Sequence, residues 1–216
     1  MTESAGTVRV RDGQSSPSFD KTEVLHWFDF ICPFCYVSQN RDELLVASGF
    51  SVAELPFQAH PGIPTEGILV GPRRGPMYEG LERQAESAGL TLRWPACVPN
   101  SGTALAASAW IRRTDPGIAR RFNARLFNAH FALGQDLGDV QILIQYAVEL
   151  GVDADRLRVA LADGSASNEV SDSEAMARGH GVRGTPAWLL NETLIEGVIP
   201  VNAFSELVGK ARAKIA

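Results

Sequence analysis

Apolar and polar positions follow two different spacings in the first third of the chain. The segment from Thr22 to Ile31 is rich in β-branched and aromatic residues, which predicts a largely buried strand. The segment from Tyr36 to Ser48 carries apolar residues at helical spacing and is followed by Gly49, which predicts a helix of about four turns. Ser51 to His60 has the pattern of a second strand. This order of strand, helix and strand predicts a βαβ unit.

The middle of the chain has a different pattern. Residues 61–76 contain eight glycines and prolines, which predicts a long loop rich in turns. From there to about residue 165, apolar residues recur at helical spacing, and aspartate or glycine often marks the beginning or end of a run. Asp115 followed by Pro116 is one such beginning, since aspartate caps helices and proline fits their first turn. The middle of the chain therefore predicts a block of helices.

The last third returns to mixed structure. A polar helix is predicted from Glu169 to Arg178, two strands from Thr185 to Leu190 and from Thr193 to Val198, and a final helix after Pro200. With the βαβ unit, these elements predict an α/β fold whose mixed layer is interrupted by an all-helical insertion. The predicted parts are a poorly ordered polar tail at residues 1–20, a sheet domain formed by residues 21–62 and 168–216, and a helical insertion at residues 63–167.

Composition and charge narrow the function classes. The 216-residue chain has a formal net charge of −5, so it has no global attraction to nucleic acid or to anionic lipid. No apolar run approaches the roughly 18 residues that are typical of a membrane span. The N-terminal residues lack the apolar stretch of a secretory signal. We therefore expect a cytoplasmic protein without a nucleic-acid or membrane partner.

The chain has three cysteines, and two of them form a Cys-Pro-Phe-Cys motif at Cys32 and Cys35. Three are too few for a secreted disulfide scaffold, which favours a reducing compartment and a catalytic or metal-binding pair. The motif joins a predicted strand to a predicted helix, so the free N–H groups and dipole of the helix N-terminus should stabilise a thiolate on Cys32. Cys32 is then the attacking sulfur, and Cys35, one turn further along, resolves the mixed disulfide.

Zinc binding is an alternative for such a pair, since a Cys-x-x-Cys motif supplies half of a structural zinc site. A structural site needs four ligands, and the remaining candidates are Cys97, His26, His60, His130 and His180. These residues are scattered and contain no second paired motif. We therefore predict a redox pair without a metal.

A second signal lies near the end of the chain, where Gly181-Val-Arg-Gly-Thr-Pro186 leads into a predicted strand. A proline at the start of a strand is compatible with a cis peptide bond. The cysteine motif after a strand, the helical insertion and the late Gly-Thr-Pro together resemble the DsbA-like branch of the thioredoxin superfamily. Within it the chain looks most like the cytosolic FrnE-type group, which is related to 2-hydroxychromene-2-carboxylate isomerases and kappa glutathione transferases. The resemblance covers about residues 22–215.

The resemblance implies a thioredoxin-like fold with an inserted all-helical domain and a dithiol–disulfide exchange activity. It also implies that the Thr185–Pro186 peptide bond is cis and lies against the cysteine pair, where its backbone pairs with an extended substrate strand. The substrate contacts expected on this basis are Pro33, Phe34, Thr185 and Pro186. The expected partner is a protein or small molecule with a disulfide or thiol. No bound cofactor is expected, and a low-molecular-weight thiol such as glutathione is a candidate co-substrate. The oligomeric state is left open.

Two departures from the family pattern bear on the activity. Phe34 stands between the cysteines where DsbA has histidine, and it offers no charge or strong donor, so we expect Cys32 to be less acidic than in DsbA. The isomerases and transferases replace one or both cysteines, whereas both are present in this chain. Their presence favours redox work, with a glutathione-dependent isomerase or transferase as the alternative. A binding module with an inactive motif is a third hypothesis.

Two residues of the first predicted strand are candidates for a proton relay. His26 lies six residues before Cys32, where thioredoxins keep a buried acid, and Asp29 lies three residues before it. Because side chains alternate along a strand, the two should point to opposite faces. His26 is a candidate to exchange a proton with Cys35, although a core histidine with a satisfied hydrogen bond is the simpler interpretation. Asp29 is equally suited to capping a turn.

Overall fold

The structure, a computed structural model, describes residues 6–10 and 20–215. Its strands are β1 (Thr7–Val10), β2 (Glu23–Phe28), β3 (Ser51–Pro56), β4 (Ile68–Leu69), β5 (Cys97–Val98), β6 (Ala187–Leu190) and β7 (Thr193–Glu196). Its helices are α1 (Pro33–Val37), α2 (Asn40–Ala47), α3 (Pro76–Ser87), α4 (Gly102–Thr114), α5 (Pro116–Phe131), α6 (Val140–Val148), α7 (Ala154–Ala162), α8 (Ser165–Gly179) and α9 (Val201–Ala213).

A mixed sheet with the strand order β1-β7-β6-β2-β3 forms the centre of the fold. β2 and β3 are parallel, as the predicted βαβ unit requires, and the other neighbours are antiparallel. Because side chains alternate along β2, they enter separate hydrophobic clusters on the two faces of the sheet. Val24 packs in a cluster with residues of α2 and α9, whereas Leu25 and Trp27 pack with residues of α8. Phe28, at the end of the strand, joins a third cluster that contains Cys35 and much of the helical block.

The helix predicted from Tyr36 to Ser48 is two helices in the structure, α1 and α2, which are separated by a turn at residues 38–39. The hydroxyl of Ser38 donates to the carbonyls of Phe34 at 2.7 Å and Cys35 at 3.2 Å. Such side-chain bonds compete with the helical ladder for carbonyl acceptors. The cysteine motif therefore lies on a helix of only five residues.

The helices α3 to α7 form the predicted helical block around α4. Every residue of α4 from Ala104 to Ile111 is buried, and the alanines among them let α5, α7 and α8 pack closely against it. The block differs from the prediction in one respect, because β4 and β5 form a small antiparallel sheet inside the region expected to be all-helical. Among the described residues, no helix combines the length and the apolar character needed to cross a membrane.

α8 links the helical block to the sheet. It packs against α4 and α7 and also against β3. The indole N–H of Trp27 donates to the carbonyl of Ser173 at 3.3 Å, and the hydroxyl of Ser173 donates to the carbonyl of Pro56 at 2.7 Å. The domain boundary predicted after residue 167 falls inside this helix.

The N-terminal segment contains a strand that was not predicted. The expectation of a poorly ordered tail over residues 1–20 is wrong for Thr7–Val10, which form β1 and pair with β7 at the edge of the sheet. The segment Thr-Val-Arg-Val has the β-branched alternation of a strand, a signal that the polar composition of its surroundings obscured. The rest of that prediction, at residues 1–5 and 11–19, lies outside the described residues.

Candidate dithiol site

The two cysteines lie at the junction between β2 and α1. β2 ends at Phe28 because the chain turns at Asp29, whose carbonyl accepts a hydrogen bond from the Cys32 N–H at 3.1 Å. Cys32 is the N-cap of α1 in an extended conformation, and Pro33 occupies the first helical turn, where its missing N–H leaves no bond unmade. The residue Cys35 is 1% exposed, whereas Cys32 is only partly buried.

The surroundings separate the acidities of the two thiols. A hydrogen bond from Cys35 is the largest influence on Cys32 and lowers its pKa in spite of the opposing effect of burial. Burial raises the pKa of Cys35 well above its ordinary value, and its interaction with Cys32 raises it further. The cysteine residue that is less buried is therefore also the more acidic one, which is the asymmetry that a nucleophile and a resolving thiol require.

Thr185 lies directly against the cysteine pair. Its peptide bond to Pro186 is cis, and its carbonyl accepts a hydrogen bond from the Cys32 thiol at 3.4 Å. The Thr185 side chain lowers the pKa of both thiols. Cys32, Pro33, Phe34 and Thr185 are all partly exposed, whereas Pro186 is buried. The residues expected to contact substrate thus lie close to Cys32 in the chain or in space, and their role in binding remains a prediction.

Replacing Thr185 with valine tests this contribution to acidity. Valine keeps the shape of threonine but has no hydroxyl, so the midpoint of Cys32 alkylation should move to higher pH. The Thr185 hydroxyl is buried without a hydrogen-bond partner among the described residues, so it is free to donate to the Cys32 thiolate. Loss of that donor should slow alkylation at neutral pH roughly fivefold. Mass spectrometry of the modified Cys32 peptide measures the rate. Thr185→Ser retains the hydroxyl and should stay near the original rate, and equal rates in all three proteins would contradict the assignment.

Asp29 organises the turn that carries the motif. Its side chain is fully buried, and its carboxylate accepts hydrogen bonds from the backbone N–H groups of Ile31 at 3.3 Å and Ala59 at 2.8 Å. Burial raises its pKa, and these hydrogen bonds oppose the rise. Its charge raises the pKa of Cys32 and so works against the thiolate. The geometry supports the capping interpretation of Asp29, and its place in a proton relay stays a prediction.

His26 is buried and bound on its Nδ1 side. Nδ1 lies 2.7 Å from the Asp42 carboxylate, and the imidazole stacks on Trp188 at a centroid distance of 4.5 Å. Trp188 donates its indole N–H to the other oxygen of Asp42 at 2.8 Å. Burial disfavours the charge of Asp42, but His26 and Trp188 together lower its pKa below the ordinary value. The Nδ1 contact fits the interpretation of His26 as a core histidine, whereas its Nε2 atom is buried without a hydrogen-bond partner among the described residues, and its place in a proton relay stays a prediction.

Two acids of this polar cluster were missed by the sequence analysis. Asp42 shares a helix face with Leu45, three residues on, so its burial had a sequence signal. Glu54 lies opposite His26 in the parallel pair of strands and accepts a hydrogen bond from the Asn123 side chain on α5. Burial raises the pKa of Glu54 to about 7. The cluster thus joins β2, α2 and β3 to the helical block.

Metal ligation has no support in the part of the chain that the structure describes. Those residues contain no group of three or more histidine, cysteine, aspartate or glutamate side chains arranged to hold an ion. Cys97 lies in the small sheet formed by β4 and β5, where it is paired with Leu69.

The fold and the site together define a thioredoxin-fold protein with a dithiol at a strand-to-helix junction. The family description "DSBA-like thioredoxin domain" matches residues 23–209, and the chain belongs to that family. A probable DsbA oxidoreductase from Streptomyces coelicolor is 25% identical, with a TM-score of 0.77 over 88% of this chain and 89% of its own. The resemblance to the DsbA-like branch is therefore confirmed, and so is the predicted fold class.

Two further solved structures share the fold at lower identity. A 2-hydroxychromene-2-carboxylate isomerase is 20% identical, with a TM-score of 0.71 over 89% of this chain and 95% of its own. The cytosolic disulfide reductase DsbM from Pseudomonas aeruginosa, solved with GSH, is 17% identical, with a TM-score of 0.58 over 89% of this chain and 96% of its own. The isomerase carries a name that the sequence resemblance gave, and at this identity both structures show the fold alone.

Proposed function

We propose that this protein exchanges the Cys32–Cys35 dithiol with disulfides of proteins or small thiols. The observation that carries the proposal is the asymmetry of the two sulfurs. Cys32 is partly exposed and has a lowered pKa, whereas Cys35 is buried and has a raised one. An isomerase that only positions a thiol cofactor has no use for a second sulfur in contact with the first. The buried Cys35 therefore favours redox work over the glutathione-dependent isomerase or transferase.

The exchange proceeds in two balanced steps. The Cys32 thiolate attacks one sulfur of the substrate disulfide, a new S–S bond forms, and the other substrate sulfur leaves with the electron pair and takes up a proton. Cys35 then loses its proton and attacks the Cys32 sulfur of the mixed disulfide, which releases the second substrate thiol. The substrate gains two electrons and two protons, and the protein holds the Cys32–Cys35 disulfide.

The recognition of a protein substrate is proposed to use the backbone of Thr185. Its carbonyl lies 3.4 Å from the attacking sulfur, so an extended peptide that pairs with this backbone would place its disulfide beside Cys32. Phe34 and Pro33 are partly exposed at the beginning of α1 and would contact the same peptide. Pro186 is buried and would hold Thr185 in place rather than contact the substrate broadly.

The oxidised pair needs a thiol to return it to the dithiol. We propose a low-molecular-weight thiol such as glutathione, used as a co-substrate, in a cytoplasmic setting. The cytosolic reductase DsbM, which was solved with GSH, has the same fold, and this supports glutathione as the reductant. Two thiol molecules would supply two electrons and leave as their own disulfide, so no bound cofactor is required.

The test is a peptide disulfide reduction assay with reduced glutathione as the electron source. We expect catalysed release of free thiols, with unchanged rates in a Cys97→Ser control. A parallel assay follows glutathione conjugation to a model electrophile. Conjugation without disulfide reduction would replace the redox proposal with the transferase alternative, and absence of both activities would favour a binding module.

A further inference from the structure

The carboxylate of Glu196, at the end of β7, lies between the loop that precedes β6 and the N-terminal strand. One oxygen accepts a hydrogen bond from the backbone N–H of Arg183 at 2.8 Å, and the other forms an ion pair with Arg9 of β1. The Glu196 side chain is only 17% exposed. A single side chain thus connects the first described strand to the loop that contains Thr185.

A backbone contact holds the other end of the same loop. The N–H of Gly197 donates to the carbonyl of Pro186 at 2.8 Å. Glu196 and Gly197 therefore fix the loop on both sides of Thr185, whose carbonyl accepts the hydrogen bond from Cys32. Gly197 has a φ of +72°, a conformation that favours glycine and that turns the chain out of β7 directly after this contact.

β1 packs closely against the end of β7, and this packing holds Arg9 near Glu196. Thr7 lies opposite Glu196 in the antiparallel pair, and Arg9 lies two residues further along the same strand. A Cβ on Gly6 would lie 2.6 Å from the Glu196 carbonyl oxygen and 2.7 Å from the Cγ2 atom of Ile199. Only glycine permits this approach, so the beginning of β1 is fitted to the end of β7.

We propose that Arg9 and Glu196 form a positioning pair for substrate recognition, an inference that rests on the proposed exchange activity. The charge of the carboxylate strengthens its bond to the Arg183 N–H, and Arg9 holds the carboxylate in that orientation against competition from water. The peptide units between Arg183 and Thr185 are thereby fixed for pairing with an extended substrate. The N-terminal strand contributes to substrate affinity although it lies at the edge of the sheet, three strands away from β2 in the strand order.

The experiment compares the variants Glu196→Ala, Glu196→Gln and Arg9→Gln, together with the double variant Arg9→Gln/Glu196→Ala. Each is assayed with a peptide disulfide and with a small aromatic disulfide that has no backbone to pair. Glu196→Ala should raise the KM for the peptide roughly fivefold, the equivalent of one hydrogen bond, and leave the rate with the small disulfide within about twofold. Glu196→Gln keeps an acceptor for the Arg183 N–H and should recover part of the loss. Arg9→Gln should raise the KM for the peptide less than Glu196→Ala does. In the double variant, the KM should be no higher than in Glu196→Ala alone.

The matched control is Glu192→Ala, an exposed acid in the turn between β6 and β7, which should leave both rates unchanged. A purely structural role for Glu196 would affect both disulfides alike, and that result would overturn the inference. If Glu196→Ala does not fold, the inference is tested with Arg9→Gln and Glu196→Gln. An unchanged KM for the peptide in both variants would also overturn the inference. A parent protein that reduces neither disulfide would contradict the proposed function instead.

Discussion

Replacing Cys32 with serine is expected to reduce disulfide exchange to the uncatalysed rate, whereas replacing Cys35 with serine should stop turnover and trap mixed disulfides. Serine at position 32 removes the partly exposed, more acidic sulfur, and the buried Cys35 cannot reach substrate in its place. With serine at position 35, Cys32 still attacks, but no second sulfur resolves the product. Non-reducing electrophoresis and mass spectrometry of the trapped adducts measure the two outcomes.

Cys97→Ser provides the control, because Cys97 lies in the small β4–β5 sheet. It should exchange disulfides at the original rate, and mild oxidation should still link Cys32 to Cys35. The roles would be reversed if the Cys32→Ser variant remained active while the Cys35→Ser variant was inactive and trapped nothing. A disulfide that includes Cys97 would remove the basis of the assignment.

Replacing Asp42 with alanine should lower the free energy of unfolding by about 2–5 kcal/mol, because two buried hydrogen-bonding groups lose a charged acceptor. The substitution leaves the Nδ1 atom of His26 and the indole N–H of Trp188 buried without their acceptor. Denaturant unfolding of the variant, beside Glu43→Ala on the exposed face of the same helix, measures the effect. Glu43→Ala should unfold close to the parent protein.

The Asp42 carboxylate also gives the stability of the protein a defined pH dependence. The pKa of Asp42 is lowered in the folded protein, so its contribution to stability is present above the ordinary aspartate value of about 3.9 and is lost as the pH falls through the folded value. The stability difference between the parent and Asp42→Ala should therefore shrink in acid. If Asp42→Ala instead slows exchange in fully folded protein, a relay through His26 regains support.

The placement of the cysteine motif and of the Thr185–Pro186 peptide bond could be predicted because their signals are local. The cysteine spacing, the proline in the first helical turn and the Gly-Thr-Pro before β6 each depend on a few adjacent residues. The break between α1 and α2 could not be predicted from apolar spacing, since it depends on hydrogen bonds of one serine hydroxyl. The pKa of Cys32 is lowered most by its hydrogen bond with the Cys35 side chain and also by the Thr185 side chain, causes that the sequence did not indicate. The backbone N–H of Cys35 in the first helical turn lowers this pKa as well, a cause that the sequence did indicate.

The partners of the supporting residues were beyond the reach of sequence patterns. Glu54, Asp42 and Glu196 are ordinary acids in the sequence, and each has a partner that is distant along the chain. No periodicity encodes those pairings. β1 is an intermediate case, because its alternation was visible but its partner, β7, lies at the opposite end of the chain.

The continuity of α8 has a consequence for cooperativity. A cut after residue 167 would divide α8. The C-terminal fragment would lose the first turn of the helix, which includes the fully buried Ala166. The N-terminal fragment would lose Ser173, whose carbonyl accepts the hydrogen bond from Trp27. Neither fragment retains a complete core. Thermal melting followed by tryptophan fluorescence and by helical circular dichroism should therefore give one coincident transition, the behaviour of a single folding unit rather than of two modules joined end to end.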